Sequence, residues 1–262
     1  MNNFEQYIEE IKILDDVIEI TINQKANVKI NLEIKRFYEK KYHKKVKLNL
    51  KNKKIEKKVI AFMSGKGGVG KTTLACDYAL NSDKKVILLD FDIYGYSIPE
   101  ILNLNAKLKY ENGKIIPVSY QGIDIVSIQF LLENKNEAII LRSIKINQVI
   151  KELIEKIDFS IYDEIIIDTP PGTGDINIDL NNYFLNVNYY IVTTPRKLDQ
   201  KISLRTKEIG DKLNYNFLGF IINEAYYQYN GKKLYIYGND FLDEIKKNIV
   251  LEKKIIGVSD EK

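Results

Sequence analysis

The feature that most constrains this chain is a glycine-rich run set between two regular elements. Residues 59–75 read VIAFMSGKGGVGKTTLA, and Gly65 to Thr72 fit G-x-x-x-x-G-K-[ST] in full. An apolar, β-branched strand comes before the run and a helical pattern follows it, the context in which this motif cradles phosphate. Glycines let the backbone curl so that successive N–H groups face an anion. The N-terminus of the helix adds the positive end of its dipole. Lys71 can neutralise β/γ-phosphate charge, and the Thr72 hydroxyl suits Mg²⁺. The candidate nucleotide-binding residues are therefore Gly65, Lys66, Gly67, Gly68, Val69, Gly70, Lys71, Thr72 and Thr73.

Two carboxylate signals stand where such a site needs them. The run EIIIDTPPG puts Asp168 at the end of an apolar strand, positioned to hold the water shell of Mg²⁺. The run VILLDFD puts Asp90 and Asp92 at the end of another, where a carboxylate can hold the attacking water or the metal.

From Val59 onward, short apolar runs alternate with helical patterns. Strands are predicted at 59–63, 86–90, 164–168, 189–193, 217–222 and 254–258, and helices at Lys71–Leu80, Ile144–Ile157, Leu198–Leu213 and Asn239–Asn248. Near-continuous apolar runs mean strands covered on both faces. The fold class is therefore α/β, a doubly wound, mostly parallel sheet. Asn112-Gly113, between LKY and KII, predicts a hairpin turn. Residues 1–55 read as a small N-terminal α/β module or extension, and 56–262 as the nucleotide-binding domain. Within the module we expect a short helix over Asn3–Leu14, a strand at 17–23, a helix or strand through Phe37 and Tyr38, and a strand at 46–50.

Composition closes off several alternatives. The chain has one cysteine, Cys76, and one histidine, His43. It can build neither an internal disulfide nor a thiolate–imidazole zinc site from a single copy. Cys76 falls one turn into the helix after the glycine run, where a small buried residue is expected, and His43 reads as a solvated side chain. No apolar run approaches the roughly 18 residues of a membrane helix. The N-terminus is acidic where a secretory signal would be basic, so the expected address is the cytoplasm. Between Lys35 and Lys58 lie twelve Lys or Arg and two acids, within a chain of net charge +4. That stretch is a solvated helix face followed by a linker, or a patch for nucleic acid or an anionic surface.

The run SGKGGVGKTT (64–73) resembles the deviant Walker A motif of the MinD/ParA/Mrp ATPases, marked by the early lysine Lys66. LLDFDIYGYSIPEIL (88–102) and IIIDTPPGTGD (165–175) are similar to Mrp/ApbC segments. IVTTPRKLD (191–199), FLGFIINE (217–224) and YIYG (235–238) match later ones. The resemblance runs from about Val59 to Gly257. It implies a homodimer sandwiching two ATP molecules with Mg²⁺. In that arrangement Lys66 reaches the partner's phosphates, Asp92 positions the attacking water, Asp168 begins a switch and Asn223 contacts adenine.

The family carries iron–sulfur clusters on a C-x-x-C pair after the Asn223 strand. Here that stretch reads NEAYYQYNGKKLYIYGND, without cysteine. The implied function is an ATP-hydrolysing dimeric switch in cluster assembly, working with assembly proteins or apo-targets. The alternative is a MinD/ParA-type switch that grips a partner and carries no cluster. A metabolic kinase would keep the glycine run but does not account for Lys66 or PPGTGD. Five tyrosines (226, 227, 229, 235 and 237) cluster in the replaced stretch and fit an interface or a self-packed hairpin equally. The terminal SDEK argues against membrane docking through a basic helix.

Overall fold

A computed structural model of the chain describes residues 4–23, 26–50, 54–92, 98–131, 146–172, 180–235 and 237–254. It divides into two compact units, Met1–Lys54 and Ile55–Lys262.

In the first unit, β1 (Ile8–Ile13) pairs antiparallel with β2 (Val17–Ile22). Helix α1 (Val28–Tyr42) then crosses over to β3 (Lys45–Leu50), which runs parallel to β2. Asn27 caps α1, its side chain accepting the Ile30 N–H at 3.0 Å. His43 ends the helix in the left-handed region at φ 52°, with its side chain exposed. Alternate residues Ile18, Ile20 and Ile22 are buried with Phe4, Ile34 and Val46. The helix expected over Asn3–Leu14 is instead a 3-10 turn, Glu5–Tyr7, followed by strand β1. A register shift between Ile8 and Glu10 explains the misreading. The extra residue breaks the period of two and leaves Ile8 and Ile11 at helical spacing.

The second unit is built on a nine-stranded sheet. Its parallel centre comprises β4 (Lys58–Met63), β5 (Val86–Asp90), β9 (Ile123–Ser127), β10 (Glu164–Asp168), β11 (Val187–Thr193) and β12 (Asn216–Tyr229). The order across the sheet is β12-β11-β4-β10-β5-β9. At its margins, β8 (Val118–Tyr120) pairs antiparallel with β9, β13 (Lys232–Leu234) pairs antiparallel with β12, and β14 (Ile249–Lys254) pairs parallel with β12. A separate hairpin joins β6 (Lys109–Glu111) to β7 (Lys114–Ile116). Asn112 and Gly113 turn it with φ of 50° and 78°, as the dipeptide predicts.

The apolar runs sort by alternation into two layers. Val59, Ala61 and Met63 of β4 join one core cluster, while Ile60 and Phe62 join the other. Helices α2 (Lys71–Leu80), α4 (Ile146–Lys156) and α5 (Lys197–Lys212) follow the predicted patterns. Residues 144–145 of the α4 prediction lie outside the described residues. The one-turn α3 spans Ile98–Ile101. Of the helix expected over Asn239–Asn248, only α6 (Asp243–Lys247) forms. The preceding residues are held elsewhere: Leu242 N–H donates to Gln200 Oε1 at 2.8 Å, and Lys197 pairs with Asp240 at 2.7 Å. The last strand lies at 249–254, and the rest of the run expected over 254–258 falls outside the described residues.

This order fixes where chemistry can occur. Successive connections leave β4 toward β5 on one side, and the chain returns past it from β10 to β11. The crevice at the carboxyl end of β4 is thus the switch point of the sheet, the usual ligand position in open α/β folds. Among the described residues no helix is long and apolar enough to cross a membrane.

Candidate nucleotide-binding site

Strand β4 delivers the chain into the glycine run at the switch point, and α2 begins at Lys71. Gly68 and Gly70 adopt φ of 77° and 83°, a region that L side chains avoid. A Cβ on Gly70 would also run into the side-chain amide of Asn223. Asn223 donates to the Val69 carbonyl at 3.0 Å. It stands just before a left-handed residue, Glu224 (φ 53°), where the pairing of β12 with β14 shifts register. A bulge of this kind re-aims side chains beside active sites.

The charged groups meet beneath the loop. Lys71, only 4% exposed, places Nζ 2.6 Å from Asp168 Oδ1 and 3.5 Å from Asp92 Oδ2. The Thr72 hydroxyl donates to Asp168 Oδ2 at 2.7 Å. These groups open on a cavity of about 430 Å³ whose walls include Ser64, Lys71, Thr72, Thr73, Asp92 and Pro171. A buried ammonium between two carboxylates is a costly arrangement unless each ion is paired. Burial pushes Asp168 above the usual carboxylate range, against the pull of Lys71 and Thr72. A larger hollow of about 590 Å³, walled by Phe62, Leu74, Tyr78, Ile221 and Leu251, flanks α2 but lacks the glycine cradle.

The remaining predicted residues divide. Lys66 points to the other side of the loop, its Nζ 3.1 Å from Asp199 Oδ1 on the first turn of α5. Asp199 is buried and its Oδ2 accepts the Thr194 hydroxyl at 2.7 Å. Asp90 stands apart from Lys71 and Thr72. Its oxygens accept the N–H groups of Asp92 and Ile98 and the Ser127 hydroxyl. Burial first, then the charge of Asp168, pushes Asp90 up to about 7. Residues 93–97 of the Asp90 segment and Thr173, Gly174 and Asp175 of the PPGTGD segment lie outside the described residues. Sequence reasoning missed Asp199, Thr194 and Ser127. Asp199 resembles any acid in a helix's first turn, and Ser127 looks like an ordinary strand residue.

Beyond Asn223 the chain forms a hairpin. Strand β12 continues to Tyr229 and pairs antiparallel with β13. Tyr226 and Tyr235 meet at 6.1 Å, Tyr227 stacks on Tyr229, and Lys233 lies 4.1 Å over the Tyr226 ring. Tyr229 and Tyr237 remain about half exposed. The first turn of α5 fastens the return leg. Arg196 sits 4.8 Å over the Tyr237 ring and donates to its hydroxyl, and buried Gln200 bridges Pro195 and Leu242. Cys76 is packed in the core beneath the loop, 3% exposed, where burial pushes its thiol up to about 12.

No group of three or more His, Cys, Asp or Glu among the described residues could hold a metal ion. A divalent ion here would need phosphate oxygens to complete its shell beside Thr72 and Asp168.

Residues 55–256 match the family model described as ParA: NUBPL iron-transfer P-loop NTPase. An iron-sulfur cluster carrier protein of Rickettsia conorii is 41% identical over 174 residues, covering 65% of this chain and 54% of that protein. The iron-sulfur cluster transfer protein NUBPL of Mus musculus is 32% identical over 212 residues, covering 77% and 66%. A solved nucleotide-binding protein of Archaeoglobus fulgidus, in complex with ADP, superposes with a TM-score of 0.62 at 29% identity, covering 76% of this chain and 82% of that one. This chain spans about half the length of its bacterial relatives. With the glycine run, the parallel sheet and the family match in agreement, the chain belongs to the ParA/NUBPL iron-transfer P-loop NTPase family.

Proposed function

We propose that this chain binds ATP with Mg²⁺ and hydrolyses it slowly as a homodimeric switch in iron–sulfur cluster handling. It would do so without ligating the cluster through a C-x-x-C pair. The observation that carries the reading is the convergence of Lys71, Thr72, Asp168 and Asp92 under the glycine loop. The loop amides and Lys71 hold the phosphates. The Thr72 hydroxyl and the Asp168 carboxylate, 2.7 Å apart, are the hard oxygen donors suited to Mg²⁺, directly or through water. When bound, that ion neutralises charge on the phosphates. Asp92, buried in the wall of the cavity, orients the attacking water. Lys66 leaves Asp199 and reaches the partner copy's phosphates, a contribution of about 10³–10⁵ in rate when supplied in trans. Asn223, braced against Val69, contacts the adenine. We place the protein in the cytoplasm, with residues 1–55 as an appended module, and assign assembly proteins or apo-targets as its partners. Nucleic acid at 35–58 is the lesser candidate.

Calorimetry with Mg·ATP and Mg·ADP tests the core of this reading, and light scattering with ATP tests the dimer. Heat on binding and a doubled mass are the expected results. A folded chain without either heat would overturn the proposal. Anaerobic incubation with iron and sulfide is expected to leave the protein colourless. A chromophore with about four irons per dimer would overturn the cluster-free assignment.

A further inference from the structure

Asp90 sits at the end of β5 with no exposed surface, and Ser127 ends β9 directly opposite it in the parallel register. The Ser127 hydroxyl donates to Asp90 Oδ2 at 2.7 Å, while its oxygen accepts the Gln129 N–H at 3.1 Å. The second bond fixes the hydroxyl so that its single proton serves Asp90. The same carboxylate accepts the Ile98 N–H at 3.2 Å on Oδ2 and the Asp92 N–H at 3.1 Å on Oδ1. One buried group therefore ties down both Asp92 and Ile98, the residues on either side of 93–97, and anchors them to the neighbouring strand. With its oxygens engaged by three donors, Asp90 is poorly placed to serve a metal. Asp92, by contrast, reaches Lys71 in the cavity.

We infer that Ser127 and Asp90 are positioning residues that set the backbone of Asp92, and hence the direction of its carboxylate. The inference rests on the proposed role of Asp92 in hydrolysis. A misplacement of about 1 Å at such a group can cost up to about a hundredfold in rate. Losing the Ser127 hydroxyl also strips a buried carboxylate of one of its donors, which the segment must then accommodate.

Ser127→Ala, Ser127→Thr and Asp90→Asn in the full chain test this. We expect Ser127→Ala to lower kcat about tenfold with ADP affinity within about twofold of the parent and the thermal midpoint lowered by only a few degrees. Ser127→Thr, which keeps a hydroxyl, should restore most of the rate. Ser127→Ala hydrolysing at the parent rate, or losing rate and ADP affinity together, would overturn the inference. A second readout is independent of turnover. Exchange of the Asp92 and Ile98 amides, followed by NMR, should speed up at least about tenfold in Ser127→Ala and Asp90→Asn while β4 and β10 stay protected. Unchanged exchange at both amides overturns the inference whatever the kinetics. A parent chain without turnover would defeat the ATPase reading alone, and the amide readout would still decide this one.

Discussion

Lys66 Nζ lies 3.1 Å from Asp199 Oδ1, so the early lysine of the glycine loop is moored to the helix that follows β11. Lys66 is half exposed and pairs with Asp199, whereas Lys71 is buried and pairs with Asp168 and Asp92. Lys66→Ala should keep ADP affinity within about threefold while hydrolysis falls by about 10³ and ATP-dependent dimerisation disappears. Equal dimer mass with ATP by light scattering would contradict this.

Lys71 is, among the described residues, the cation paired with buried Asp168. Lys71→Ala should abolish measurable heat with Mg·ATP and Mg·ADP. It should also destabilise the free protein by about 3 kcal/mol, because Asp168 loses its counter-ion. Urea unfolding of the nucleotide-free variant measures the second effect, and an unchanged midpoint would refute it.

Gly70 and Gly68 share a left-handed backbone but not their surroundings. A Cβ on Gly70 meets Asn223, whereas the space around Gly68 is open. Gly68→Ala should cost about 1 kcal/mol from strain alone. Gly70→Ala should cost more and weaken ADP binding at least about tenfold, since the loop or Asn223 must move. Thermal melts and calorimetry on the two variants give the comparison. Similar losses at both would discard the steric account.

Cys76 is shielded and its thiol is pushed up to about 12. In folded protein at about pH 8 it should resist a thiol-reactive disulfide reagent and react at once in urea. Rapid labelling of the native chain would show that the core opens around it. Cys76→Ser should leave the response to iron and sulfide unchanged.

Asp90, pushed up to about 7, gives stability a pH dependence of definite sign. Its ordinary value of 3.8 applies when unfolded, so between about pH 4 and 7 the folded state holds more protons than the unfolded one. Its contribution is therefore full at low pH and lost as pH rises through 7. Urea midpoints from about pH 5 to 8 should fall more steeply for the parent chain than for Asp90→Asn. Parallel slopes would remove Asp90 as the cause.

Five of the six central strands were legible because burial on both faces demands apolar runs such as Ile165–Ile167, whereas Asp124 interrupts the run of β9, which was not expected. The glycine run was legible because its backbone conformation restricts residue type at Gly68 and Gly70. Strand β1 was not, since a single-residue bulge at Ile8–Glu10 imitates helical spacing. Ser127 and Asp199 were hidden for another reason. Each acts on a residue far away in sequence, Asp90 and Lys66, and only the strand order brings the pairs together.

The first turn of α5 has a consequence that reaches across the molecule. On one side its Asp199 holds Lys66, and on the other Arg196, Lys197 and Gln200 secure Tyr237, Asp240 and Leu242. The glycine loop and the tyrosine hairpin therefore share one point of attachment. A substitution that shifts this turn should therefore disturb the setting of Lys66 and the return leg of the hairpin together.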